Sequence, residues 1–74
     1  MGRPTITPWH RFARGYQATI RQPYHDLEVF PHFDQWRWRV LAMDSSSGQF
    51  RELSSGMADT LTEAQSAAIS AVPR

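Results

Sequence analysis

From Trp36 to Met43 the chain alternates with a strict two-residue period. Trp36, Trp38, Val40 and Ala42 fall on one side, and Arg37, Arg39, Leu41 and Met43 on the other. Side chains of an extended strand point alternately to opposite faces, so this pattern predicts a half-buried β-strand over 35–43, central in its sheet. Such a strand cannot bury its apolar side alone. The rest of the chain must supply neighbours for its edges and a cover for one face.

The flanking segments meet that need. Asp44-Ser45-Ser46-Ser47-Gly48 is a cluster of turn residues, so 49–54 reads as the return strand of a hairpin. Ser55-Gly56 marks a bulge or the end of that strand. Upstream, after Gly15, Tyr16, Ala18 and Ile20 alternate with Gln17, Thr19 and Arg21, which predicts another half-buried strand ended by Pro23. Downstream, Thr60-Leu61-Thr62-Glu63 matches a helix capping box, and Asp59 and Glu63 suit the positive end of a helix dipole. Leu61, Ala64, Ala68 and Val72 recur on one helical face, and Pro73 closes the helix. That face is mostly Ala, so the bulk of the core must come from the sheet, through Tyr16, Ile20, Trp36 and Trp38.

Two segments read as irregular. Residues 1–13 contain Pro4 and Pro8 and no clean period, which predicts an extended arm pinned by Trp9 and Phe12. Residues 22–35 hold Pro23, Pro31, His25, His32, Asp26 and Asp34, and read as a long connecting loop with a short extended piece at 27–30. The expected fold is α+β: a three-stranded antiparallel sheet (β-β-β-α) with one C-terminal helix on one face. It forms a single domain over 1–74, with an arm at 1–13 and a body at 14–72.

Composition narrows the function classes. With 74 residues and no cysteine there is no disulfide and no thiolate metal site. A core of this size rarely supplies more than roughly 3–5 kcal/mol of net stability, and the three Trp, two Tyr and four Phe stand in for a staple. The longest apolar run, Val40 to Met43, is far short of the ~20 residues that span a bilayer. No apolar segment follows Met1-Gly2-Arg3-Pro4, so no signal peptide is expected, and the expectation is a cytoplasmic protein without a membrane partner. Net charge is +1. Residues 1–40 carry six Arg against Asp26, Glu28 and Asp34, a balance of +3; residues 41–74 carry Arg51 and Arg74 against Asp44, Glu52, Asp59 and Glu63, a balance of −2. This asymmetry is well below the basic excess of a typical nucleic-acid-binding domain.

The candidate contact surface is the strand side that a single helix leaves open. Arg37 and Arg39 project from the middle strand, Arg21 and Arg51 flank them, and Leu41 and Met43 lie beside them. Arg forks pair with carboxylates and phosphates and stack on aromatics. All eight basic residues are Arg, and Lys and Asn are absent, which also fits GC-rich coding, so a merely solvated Arg face is an equally open reading. The 22–35 segment offers His25, Phe30, His32 and Phe33 as loop contacts. His25-Asp26 and His32-x-Asp34 lack paired-ligand spacing, so no metal is expected. No nucleophile elbow, phosphate loop or Ser/His/Asp order is present, so neither catalysis nor a cofactor is expected.

Trp36-x-Trp38-x-Val40, Gly48, Gly56-x-Ala58-x-Thr60, Ala64 and Ala67-Ala68 together resemble a hairpin–helix pattern of short uncharacterised proteins of GC-rich bacteria and their phages. The motifs are structural and carry no catalytic residue across. In size and style the chain is also similar to phage-encoded inhibitors, anti-CRISPR proteins among them. The resemblance implies a protein-binding module, a phage or prophage accessory protein that inhibits a host complex. Two alternatives stand beside it. Nucleic acid could meet the Arg-bearing sheet, as in integrase arm-binding domains. Leu41, Met43 and Leu53 could instead form a homodimer patch.

Overall fold

The computed structural model describes residues 6–21, 24–44 and 46–73. Among these the chain forms β1 (His10–Phe12), β2 (Gly15–Arg21), β3 (Tyr24–His32), β4 (Gln35–Met43), β5 (Phe50–Ala58) and α1 (Leu61–Ser70). The strands lie in sequence order in one antiparallel sheet, and α1 packs over β3, β4 and β5. The α+β class and the C-terminal helix are as expected, but the sheet has five strands rather than three.

The first added strand replaces the expected long loop. In β3, His25, Leu27 and Val29 are buried and alternate with Asp26 and Glu28, so the two-residue period is present after all. Its one proline, Pro31, disguises it. β2 pairs with β3 only as far as Tyr16 opposite Val29, so beyond that point β3 has β4 alone beside it. Pro31 therefore sits at a local edge, where a residue without an N–H is tolerated. The expected strand end at Pro23 lies outside the described residues.

The second added strand lies within the expected arm. β1 pairs with β2, joined by Ala13-Arg14 with Ala13 at φ 53°. Ile6 bridges to Ile20, and the Thr7 N–H donates to the Thr19 carbonyl at 2.9 Å. The Thr7 hydroxyl in turn accepts from the Thr19 N–H at 2.9 Å. Over its described part the arm thus covers the outer edge of β2. His10 to Phe12 are exposed on both sides, which is why no period marks them.

β5 also differs from expectation. It runs on to Ala58, and its irregularity lies at Leu53, not at Gly56. Val40 pairs with Ser54 and Leu41 with Glu52, so Leu53 is an extra residue. Gly56 answers a different need: a Cβ there would lie 2.7 Å from the Trp38 ring, so the indole rests on the bare backbone. Gly15 likewise has no room for a side chain, because its Cβ would meet the Val29 carbonyl oxygen.

The core lies between the sheet and α1. Ile20, Leu27 and Val40 cluster with Ala68 and Val72, and Trp9, Trp38, Ile69 and Ala71 pack around them. Small residues on the helix let it approach the larger strand side chains. Leu27, Val29 and Val40 are fully buried, each contributing roughly 1.5–3 kcal/mol of transfer free energy. Tyr16 and Trp36 lie at the rim of this face with ring centroids 6.4 Å apart. At the helix start the Thr60 hydroxyl accepts from the Glu63 N–H at 3.1 Å. The helix ends at Ser70, capped by Ala71, so Val72 is buried from just beyond it.

Candidate functional site

α1 covers one side of the sheet and leaves the other open. On β4 the open side receives Arg37, Arg39, Leu41 and Met43. The register adds Tyr24, Asp26, Glu28 and Phe30 from β3, Gln17, Thr19 and Arg21 from β2, and Phe50, Glu52, Ser55 and Met57 from β5. Tyr24, Met43, Phe50 and Met57 are exposed.

The expected Arg platform is only partly formed. Arg37 and Arg39 do share the open side, and Arg21 reaches it at the end of β2, opposite Tyr24. Arg51 does not. The extra residue at Leu53 shifts the alternation, so Arg51 pairs with Ala42 and belongs to the helix side. One residue gained in a strand sends every later side chain to the opposite face.

Nor are Arg37 and Arg39 free cations. The Arg39 Nε donates to the Glu28 carboxylate at 2.7 Å, and Glu28 is mostly buried. The Arg39 guanidinium also lies 5.4 Å above the Phe30 ring. Glu52 stands 3.9 Å from both Arg37 and Arg39. Two carboxylates therefore interleave with two guanidiniums. Beside them, Asp26 accepts from Gln17 Nε2 and from the Thr19 hydroxyl, each at 3.2 Å. The result is a charge-balanced polar strip flanked by exposed apolar side chains.

The expected loop contacts separate. His25 is buried on the helix side, because neighbours in a strand alternate and Asp26 takes the open side. That alternation also keeps His25 and Asp26 from converging on one ion. Phe30 is half-buried under Arg39. His32 and Phe33 stay exposed where β3 turns into β4, with ring centroids 4.8 Å apart in an edge-to-face contact. Phe33 is 94% exposed and sits at φ 58°, a backbone region that favours glycine.

Among the described residues no group of three His, Asp or Glu side chains is placed to hold a metal ion. A cleft of about 310 Å³ is lined by Ala42, Met43, Asp44 and Arg51, and another of about 200 Å³ by Arg37, Ser55, Gly56 and Met57. Neither sets a nucleophile beside a base. In the β4–β5 turn, the Ser46 hydroxyl and then the Ser46 N–H bond to the Asp44 carboxylate and hold it below the usual carboxylate range. Among the described residues no helix is long and apolar enough to cross a membrane.

Glu28, Glu52, Phe50 and Met57 were not expected on this side. Glu28 could be found from the Leu27-x-Val29 period that Pro31 obscures. Met57 follows once the second strand of the hairpin is carried past Ser55-Gly56. Comparison with known proteins finds no matching family model, no matching curated protein and no matching solved structure.

Proposed function

We propose that the chain is a non-enzymatic protein-binding module whose contact surface is the open sheet face. The observation that carries this reading is the make-up of that face. Half-exposed Tyr24, Met43, Phe50 and Met57 surround Arg37, Arg39, Glu28 and Glu52, which largely cancel one another. Aromatic residues, Met and Arg are enriched in protein interfaces and supply their hot spots. Extents of 36 × 30 × 19 Å bound the face at about 1,000 Å², against roughly 800 Å² per partner in a standard interface. The balance of charge favours a protein over a nucleic acid, since phosphate recognition needs unpaired cations. Inhibition of a host complex by a phage or prophage accessory protein is the narrower form of this reading, and it rests on size and style.

The test is affinity capture with the wild-type chain and with an Arg37→Glu/Met57→Asp double variant. Both positions are exposed, so circular dichroism should show an unchanged fold. Arg39 is unsuitable because its reversal would face Glu28. Wild type should retain a specific protein and the variant should lose it. Identical retention by both would remove the open face from the reading. Binding to duplex DNA at ~50 mM salt that falls steeply as salt rises would replace it with the nucleic-acid alternative.

A further inference from the structure

The open face is ordered in levels across the strands. At one level Gln17, Glu28, Arg39 and Ser55 lie in register on β2 to β5. To one side of that level come Phe30, Arg37 and Met57. To the other come Thr19, Asp26, Leu41 and Glu52, and beyond them Arg21 beside Tyr24 and Met43 beside Phe50. Tyr24 is one residue past the His25–Ala42 pair and so stands level with Met43. Among these side chains Arg21, Arg37 and Arg39 stand against Asp26, Glu28 and Glu52, so two such faces approach without net repulsion.

The charges at the central level distinguish one way of turning the face onto itself. Within the chain Arg39 gives its Nε to Oε1 of Glu28, while its Nη1 is 3.9 Å from Glu52, beyond hydrogen-bond length. A guanidinium has several N–H donors in one fork, so Arg39 can serve a second carboxylate. Glu28 and Arg39 are opposite one another on neighbouring strands. A two-fold axis running along the strands between β3 and β4 sets Glu28 over Arg39 of the copy. The same turn sets Phe30 over Arg37, a cation–π contact, and Tyr24 over Met43, an apolar one. Asp26 meets Leu41, but its carboxylate already accepts from Gln17 and the Thr19 hydroxyl. A two-fold axis across the strands at this level would instead stack Arg39 on Arg39 and Glu28 on Glu28.

We infer, on the reading of the open face as a protein contact surface, that its occupant is a second copy of this chain, packed face to face about the axis along the strands. The dimer has four layers, with both helices outside and the two sheets about 10 Å apart inside. Its centre is a ring of Glu28 and Arg39 from both copies, with Tyr24 and Met43 to one side and Phe30 and Arg37 to the other. Each contact occurs twice because the interface is isologous. The face, bounded at about 1,000 Å², covers the roughly 800 Å² per partner of a standard interface. The 74-residue chain has no disulfide to supplement its core, and burial between copies is one way small domains make up that deficit.

Sedimentation equilibrium of the wild-type chain up to about 1 mM should show a monomer–dimer equilibrium. Met43→Asp places two carboxylates in the closed interface and should weaken the dimer by about a hundredfold. Ser66→Asp, on the exposed side of α1, should leave it unchanged. Circular dichroism should show the native fold in both variants. In a mixture of isotope-labelled and unlabelled chains, filtered NOEs should join the Met43 methyl to the Tyr24 ring of the other copy. A wild-type monomer throughout, a dimer indifferent to Met43→Asp, or NOEs from Met43 to His32 of the other copy would each overturn the assignment. A monomer that still captures another protein, and loses it on Arg37→Glu/Met57→Asp, would overturn the second copy alone and leave the open face as the contact surface.

Discussion

Replacing Gly56 by Ala adds one methyl group to β5, at the spot where the indole of Trp38 rests. By strand propensity alone the change should help, because Gly in a strand is about 0.5–1 kcal/mol less favourable than Ala. The structure reverses the sign. The new Cβ would lie 2.7 Å from Trp38 Cζ2, 2.8 Å from Cε2 and 2.9 Å from Nε1. Ordinary carbon contacts begin near 3.5 Å, so the ring must withdraw by roughly 1 Å. Trp38 also packs against the Ile20, Leu27, Val40 cluster, and its displacement is felt there. Overpacking of this kind costs about 1–3 kcal/mol. With a urea slope of about 1 kcal/mol/M, the unfolding midpoint should fall by about 2 M. A urea titration followed by tryptophan fluorescence reads it. In a Trp38→Leu background the same Gly56→Ala change should cost little, and the double-mutant cycle isolates the contact. A midpoint that rises or stays put in the wild-type background would show that Trp38 does not lie over Gly56.

Phe33→Gly should raise thermal stability, by about 1 kcal/mol, because it relieves a bulky residue at φ 58° and gives up only a solvent-exposed edge contact with the His32 ring. Leu27→Ala, at a fully buried site, should cost about 3–5 kcal/mol and leave the chain largely unfolded by circular dichroism. Asp44 should titrate below its ordinary value of 3.8 when carboxylate shifts are followed by NMR. Its folded-state pKa is depressed, so its contribution is complete above the unfolded value and is lost as pH falls through the folded one. Asp44→Asn should therefore flatten that part of the acid-unfolding curve.

What could be read from the residues was what carries a periodic or capping signal. The alternation around Trp36 to Met43, the turn from Asp44 to Gly48 and the Thr60–Glu63 cap are local patterns with local causes. β3 was obscured because Pro31 normally excludes a strand; only the early end of β2 makes it acceptable there. β1 has no buried side, so it has no pattern to detect. The turns at Ala13 and Phe33 adopt positive φ without glycine, so the usual marker of a tight hairpin is missing. The open face suffered most from one residue. Leu53 is extra in the β4–β5 register, and no propensity announces it, yet it moves Arg51 to the helix side and Glu52 beside Arg37 and Arg39. An arginine platform thereby becomes a balanced, partly apolar surface.

The division of the sheet into a closed and an open side is best probed through methyl groups. Selectively labelled Met43 and Met57 should respond strongly to a soluble paramagnetic agent, while Leu27, Val29 and Val40 methyls should not. On addition of a captured protein partner, Met43 and Met57 should become shielded and shift. Methionine methyls already shielded in the free monomer, or left unchanged in the complex, would contradict the claim that the open face is the binding surface.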